Sequence, residues 1–144
     1  MKKASTYSIL ILIIGFSVIL HSCKKPEPEP KDPLTNEQLL TGEWQLITFT
    51  KNGVSMIEPC SADDIFEFNV SKRYYGNEGT LKCNENDPTV FAEGSWEFKD
   101  DNRILRFPFY GDINDFKVNK LTETEMELSL TVSDNQYLLV FKSL

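Results

Sequence analysis

Three cysteines, one histidine and a few clusters of acidic residues are the groups best suited to chemistry in this 144-residue chain. The acidic clusters are Asp63-Asp64, Asp100-Asp101 and Asp112-Ile113-Asn114-Asp115. Oxygen-rich loops can bind calcium, but none of these has the spacing of an EF-hand loop. Two carboxylates flanking one bond can hydrolyse a glycoside, yet nothing in the sequence sets two of them across one cleft. Asp and Asn are habitual turn formers, and solvated turn acids account for all three clusters. There is no Gly-rich phosphate loop and no Gly-x-Ser-x-Gly elbow. No metal site and no cofactor is expected.

The histidine is His21, and its surroundings decide its relevance. Lys2 and Lys3 form a short positive segment, and Tyr7 to Leu20 is uncharged and apolar. That is the pattern of an export signal, shorter than the roughly 20 apolar residues of a comfortable membrane span. The stretch Leu20-His21-Ser22-Cys23 then resembles the lipobox of bacterial lipoproteins, with Leu at −3, a small residue at −1 and the Cys. The resemblance implies removal of residues 1–22, a thioether-linked diacylglycerol on Cys23 and an N-acyl chain such as palmitate. Each buried CH2 contributes about 0.8 kcal/mol, so several chains anchor far more firmly than one. The implied partner is a membrane, reached through acylated Cys23. The implied place is the cell envelope, and Lys24 after the Cys is compatible with the outer membrane, on its periplasmic or surface face.

Removal of residues 1–22 takes away His21, leaving no histidine. That excludes Ser-His-Asp and Cys-His catalysis, imidazole metal ligation and the commonest general base near neutral pH. No enzymatic activity is expected. Losing Lys2 and Lys3 moves the formal charge from −7 to −9. Nucleic acid is therefore not an expected partner, since phosphate binding needs clustered Lys and Arg. With Cys23 acylated, Cys60 and Cys83 remain, an even pair in an oxidising setting and hence candidates for a disulfide. The alternative is one reactive thiol with a bystander, which no histidine is there to activate.

The elements that position these groups follow in order. Cys23 to Pro33 alternates Pro with charged residues and reads as an extended tether. Leu34 to Gly42 reads as a short helix: Thr35 caps it, Gln38 completes a capping box, and Leu34 and Leu39 form a staple. Gly42 ends it. From Trp44 onward the apolar period is two. Trp44 to Thr50 is a strand in which Ile47 and Phe49 are out of phase, which predicts a bulge or burial on both faces. Lys51-Asn52-Gly53 is a turn. Phe66, Phe68 and Val70 alternate, and Arg73-Tyr74-Tyr75 and Gly79 to Cys83 read as two short strands. Val90 to Lys99 puts Ala92, Gly94, Trp96 and Phe98 on one face. Ile104 to Tyr110 contains Pro108, which belongs at an edge, a bulge or a strand end. Gly111 to Asp115 reads as a loop, and strands follow at Phe116–Leu121, Met126–Val132 and Tyr137–Phe141. Eight to ten short strands with no intervening helix mean an all-β antiparallel sandwich or barrel. Hairpin connections favour an up-and-down barrel of about eight strands, which removes exposed edges.

A short helix, then Gly42-Glu43-Trp44, then a strand meander resembles the lipocalin-like domains of bacterial lipoproteins, over residues 34–144. The resemblance implies that Trp44 packs across the closed end of the barrel. Gly94-Ser95-Trp96 looks like the mid-barrel strand of such domains, and a bridge such as Cys60–Cys83 fits near their early strands. Two features depart from lipocalins: Asn114-Asp115-Phe116 stands where Thr-Asp-Tyr is usual, and Lys142 where an Arg lies over the Trp.

A barrel of this size is either filled by its own side chains or holds one small ligand. The leading expectation is a membrane-tethered, non-enzymatic binding module for a small hydrophobic or amphiphilic molecule in the barrel mouth. Phe66, Phe68, Trp96, Phe98, Leu128 and Leu139 are the expected lining. The rival is a filled barrel whose loops (Lys51–Cys60, Asn84–Pro88, Gly111–Asp115) contact another envelope protein, as an inhibitor or accessory module.

Overall fold

The computed structural model describes residues 32–144, with a compact unit running from Pro33 to Leu144. The expected signal segment (1–22), the lipid-bearing Cys23 and the tether residues 23–31 lie outside the described residues. The order is α1 (Asn36–Leu40), β1 (Gly42–Lys51), β2 (Val54–Ser55), a single turn of 3-10 helix (Pro59–Ser61), β3 (Ile65–Phe68), β4 (Arg73–Asn77) and β5 (Val90–Ser95). Then come β6 (Glu97–Lys99), β7 (Ile104–Phe109), β8 (Asp112–Leu121), β9 (Glu125–Val132) and β10 (Asn135–Ser143). Apart from the short β2, which pairs only with β1, the strands lie in the order β5-β4-β3-β1-β10-β9-β8-β7-β6. All pairings are antiparallel. The two ends of that path, β5 and β6, are one run of chain interrupted at Trp96. The strands therefore make eight staves of a nearly closed up-and-down barrel. The closure is incomplete beside β5, where β5 and β7 pack without a hydrogen-bonded ladder.

Alternation builds the interior. Phe66 and Phe68 of β3, Leu105, Phe107 and Phe109 of β7, Met126 and Leu128 of β9, and Leu139 and Phe141 of β10 all point inward and are buried. Aromatic rings meet edge-on across the middle: Phe68 and Phe107 stand 5.2 Å apart at 76°, and Phe66 and Phe141 5.4 Å apart at 78°. Such contacts add roughly 0.5–1.5 kcal/mol each beyond the area they bury. The expected bulge in β1 is present between Leu46 and Thr48, where the register with β10 shifts. It turns Ile47 outward and brings Phe49 to the inner side.

Helix α1 caps the closed end. Thr35 and Gln38 form the expected capping box. Leu40 is fully buried, and its carbonyl accepts a 2.8 Å hydrogen bond from the Trp44 indole N–H. That satisfies the one polar atom of a buried indole. The Trp96 indole N–H donates to the Asn69 carbonyl at 3.2 Å. A cation does cover a tryptophan here, but it is Lys72 above Trp96, 4.0 Å from the ring centroid and ion-paired with Glu37. Lys142 lies exposed in β10.

Three local expectations are corrected. Gly79 to Cys83 forms no strand; hydrogen bonds to a side chain replace ladder pairing there. Val70 is not a third inward residue of β3 but lies in the following turn, 82% exposed. Gly111 to Asp115 is not a loop, because a two-residue turn at Tyr110-Gly111 (φ 49° and 91°) lets Asp112 pair with Phe109 at once.

Candidate functional site

The mouth is framed by the two longest connections, Asn52–Asp64 and Glu78–Thr89, and by the tight turns at Tyr110-Gly111 and Ser133-Asp134. Two anchors hold the long connections together. The Cys60–Cys83 disulfide joins them, with Cα atoms 5.0 Å apart. The Asp63 carboxylate accepts from Thr80 N–H and Thr80 Oγ, both at 2.7 Å, and from Leu81 N–H at 3.2 Å. Those bonds, led by the Thr80 hydroxyl, hold the Asp63 carboxyl below its ordinary range. Gly79 permits the arrangement, since a Cβ there would stand 2.3 Å from the Asp63 carboxyl carbon.

Asp63 and Asp64 are therefore not solvated turn acids. Asp64 is the one buried charged side chain among the described residues, 5% exposed. Burial, the leading cause, and the nearby Glu78 and Asp63 push its carboxyl up to about 6, against a weaker opposing hydrogen bond from Gly79 N–H. Asp100-Asp101 lies in a turn as expected, whereas Asp112 and Asp115 lie in strand β8. Asp100 pairs with Arg103, and Asp115 is held in two bonds by the Arg106 guanidinium.

Four aromatic rings lie in a row across the mouth. Phe91 stacks on Tyr110 (6.4 Å, 16°), Tyr110 on Phe49 (5.8 Å, 16°) and Phe49 on Tyr137 (6.3 Å, 25°). Tyr110 adopts a left-handed backbone, uncommon for a bulky residue. Burial and then the carboxylates of Asp64, Glu58 and Glu78 hold its phenol above the ordinary range.

The row separates two clefts. The larger, about 670 Å³, lies between the long connections and is lined by Phe49, Met56, Pro88, Phe91 and Tyr110 together with Glu58, Asp64, Glu78 and Asp87. The smaller, about 270 Å³, is lined by Phe49, Phe109, Tyr110, Phe116, Leu130, Tyr137 and Leu139, with Asp112 and Asn114 among its polar residues. Glu58 also lies 3.7 and 3.8 Å from the sulfurs of Cys60 and Cys83. That trio resembles a metal cluster in its spacing only, because metals bind thiolates and these sulfurs are bonded to each other.

Of the six residues expected to line a ligand site, only Leu139 reaches a mouth cleft. Phe66, Phe68 and Leu128 sit fully buried in the packed interior. Phe98 is half-buried and packs edge-on against Trp96. Trp96 borders grooves by the closed end and along the β5–β7 seam. The physical reason for Phe66, Phe68 and Leu128 is volume: Tyr74, Phe107, Phe116 and Phe141 are buried in the same interior and fill it. The mouth residues themselves fall in connections or beside turns, where alternation gives no direction. Only the phase break at Phe49 hinted at its position.

A family model described as "Lipocalin-like domain" matches residues 40–128. No curated protein matches the chain.

Proposed function

The chain belongs to the lipocalin-like domain family, and on that premise we propose that it is a non-enzymatic binding module for a small apolar or amphiphilic molecule. The larger mouth cleft is the observation that carries this reading. Its aromatic walls offer apolar contact, a few polar groups converge on it, and its volume falls in the range of small-molecule sites. The ligand sits over the filled barrel, not within it. In the same reading Cys23 is acylated and tethers the module in the cell envelope, at the outer membrane. The sequence pattern before Cys23 supports this part of the proposal.

A second reading keeps its own support. Val54, Met56, Tyr110 and Ile113 are exposed apolar residues around the mouth, Val54 at 68% and Ile113 at 70%. Met56 and Tyr110 share one cleft wall, and contiguous exposed apolar surface marks contact sites for other proteins.

Organic-solvent extraction of the protein purified from Lys24 onward, followed by mass spectrometry, tests the first reading. A stoichiometric small amphiphile is expected, and its loss in Phe91→Ala would place it at the mouth. An empty protein that captures an envelope protein through the Val54–Met56 rim would favour the second. Cys23→Ser in the full chain should move the protein to the soluble fraction; retention in the membrane would refute the anchor.

A further inference from the structure

We propose that the larger mouth cleft takes a small organic cation, an ammonium or guanidinium carried on a flat apolar body. Phe91 and Tyr110 contact the body, and Glu58, Asp64 and Glu78 surround the charge. The proposal rests on the small-molecule reading above and narrows it.

Charge is the first observation. Glu58, Asp64, Glu78 and Asp87 line the cleft, and no Lys or Arg does. Six acids elsewhere, Glu37, Glu93, Glu97, Asp100, Asp115 and Glu125, are in ion pairs. Among the described residues none of the four cleft carboxylates is so paired. The nearby Lys82 is engaged otherwise, its ammonium donating to the Asp87 backbone carbonyl at 2.7 Å.

Burial is the second. Asp64 lines the cleft at 5% exposure. Its Oδ1 accepts one long hydrogen bond, 3.4 Å, from Gly79 N–H. An ionised carboxylate taken out of water without a counter-charge is costly. A cation arriving in the cleft would supply that counter-charge.

Geometry then selects the kind of cation. Among the described residues no three of these carboxylates bring oxygens within 4.8 Å of one another. A calcium ion needs six to eight oxygens at contact distance, so the arrangement is too spread for a bare metal ion. It suits a larger, diffuse charge. The aromatic wall agrees, because ring faces attract organic cations and stack on flat bodies. Tyr110 and Phe91 present such a wall 6.4 Å apart and nearly parallel.

The test compares three probes with one body: 1-naphthylmethylammonium, 1-naphthylmethanol and 1-naphthoate. Each is titrated calorimetrically into the disulfide-intact chain from Lys24 onward, near pH 8 and at low salt. The ammonium should bind at least tenfold more tightly than the alcohol, and the naphthoate more weakly than either. Glu58→Gln and Asp64→Asn should each cut the advantage of the ammonium severalfold and leave the affinity of the alcohol unchanged. Glu58 is exposed, so its variant stays readable should Asp64→Asn fold poorly. Equal affinity for the three probes, or an advantage that survives Glu58→Gln and Asp64→Asn, would overturn the cation assignment and leave the small-molecule reading standing. Binding of none of them would overturn it too, while the solvent extract judges the carrier reading separately.

Discussion

Gly94 of β5 lies flush against the ring of Pro108 in β7, so that a Cβ on Gly94 would stand 2.4 Å from the proline Cγ. This is the seam where the barrel closes without a ladder. Proline has no N–H to donate, so its place in β7 costs the seam no hydrogen bond, and a glycine lets the two backbones approach.

Gly94→Ala should therefore destabilise the domain by about 1–3 kcal/mol, the usual range for forcing a methyl group into packed space. Pro108→Ala removes the atom it strikes. Denaturant unfolding of the two single variants and the double variant should give a double-variant loss clearly smaller than the sum. Additive losses would mean that the contact does not control the seam.

How much of this was open to sequence reasoning depends on the element. Met126 to Val132 alternates without a break, and its strand and inward face are legible. The capping box at Thr35 and the Asn52-Gly53 turn carry local signals that need no tertiary context. Gly79 to Cys83 misleads because its alternation resembles a strand, while Asp63, sixteen residues upstream of Gly79, supplies the hydrogen bonds that hold it as a loop. The candidate site was the least legible part. Large apolar residues at alternating positions announce a core, and Phe66, Phe68 and Leu128 are fully buried in it. The mouth depends on which turn residues meet across the rim, and Asp64 reads like any other turn acid until its burial is known.

The Tyr74 hydroxyl is fully buried and has no hydrogen-bond partner. Its ring packs against Phe66, Phe68 and Phe107. An unsatisfied buried hydroxyl costs about 1–3 kcal/mol, so Tyr74→Phe should be neutral or stabilise by up to about 1 kcal/mol in thermal and chemical unfolding. A loss above about 1 kcal/mol would mean that the hydroxyl has a partner, such as an ordered water.

The Cys60–Cys83 bridge closes a loop between residues 23 apart in sequence. On the chain-entropy account such a bridge stabilises by roughly 3 kcal/mol. Reduction, or a double Cys→Ser variant, should lower the melting temperature by about 10 °C. It should also release the Glu78–Thr89 connection to protease, because the side-chain hydrogen bonds left to tie it to the Asn52–Asp64 connection are those to Asp63 and the long one to Asp64. An unchanged melting temperature would show that the unfolded chain gains little freedom when the bridge opens.

Asp64 makes the stability of the domain depend on pH in a direction opposite to its neighbours. Its carboxyl titrates at about 6 in the folded state against 3.8 for an unperturbed Asp. Between those values the native state binds more protons than the unfolded state, so stability falls as pH rises from about 4 to 6 and levels off above. The loss should be on the order of 2 kcal/mol, reduced by the opening of the cleft to water. Asp63 and Asp115 are held below 3.8, so their contribution is present above pH 4 and disappears only as pH falls further. The two windows do not overlap. Denaturant unfolding at half-unit steps from pH 3 to 8 should therefore show an optimum near pH 4–5, with the falling limb absent in Asp64→Asn. A falling limb of equal depth in that variant would move the titration to another group. Filling the cleft with an ammonium ligand gives the complementary result: by holding Asp64 ionised it should flatten the same limb, which the uncharged alcohol should not do.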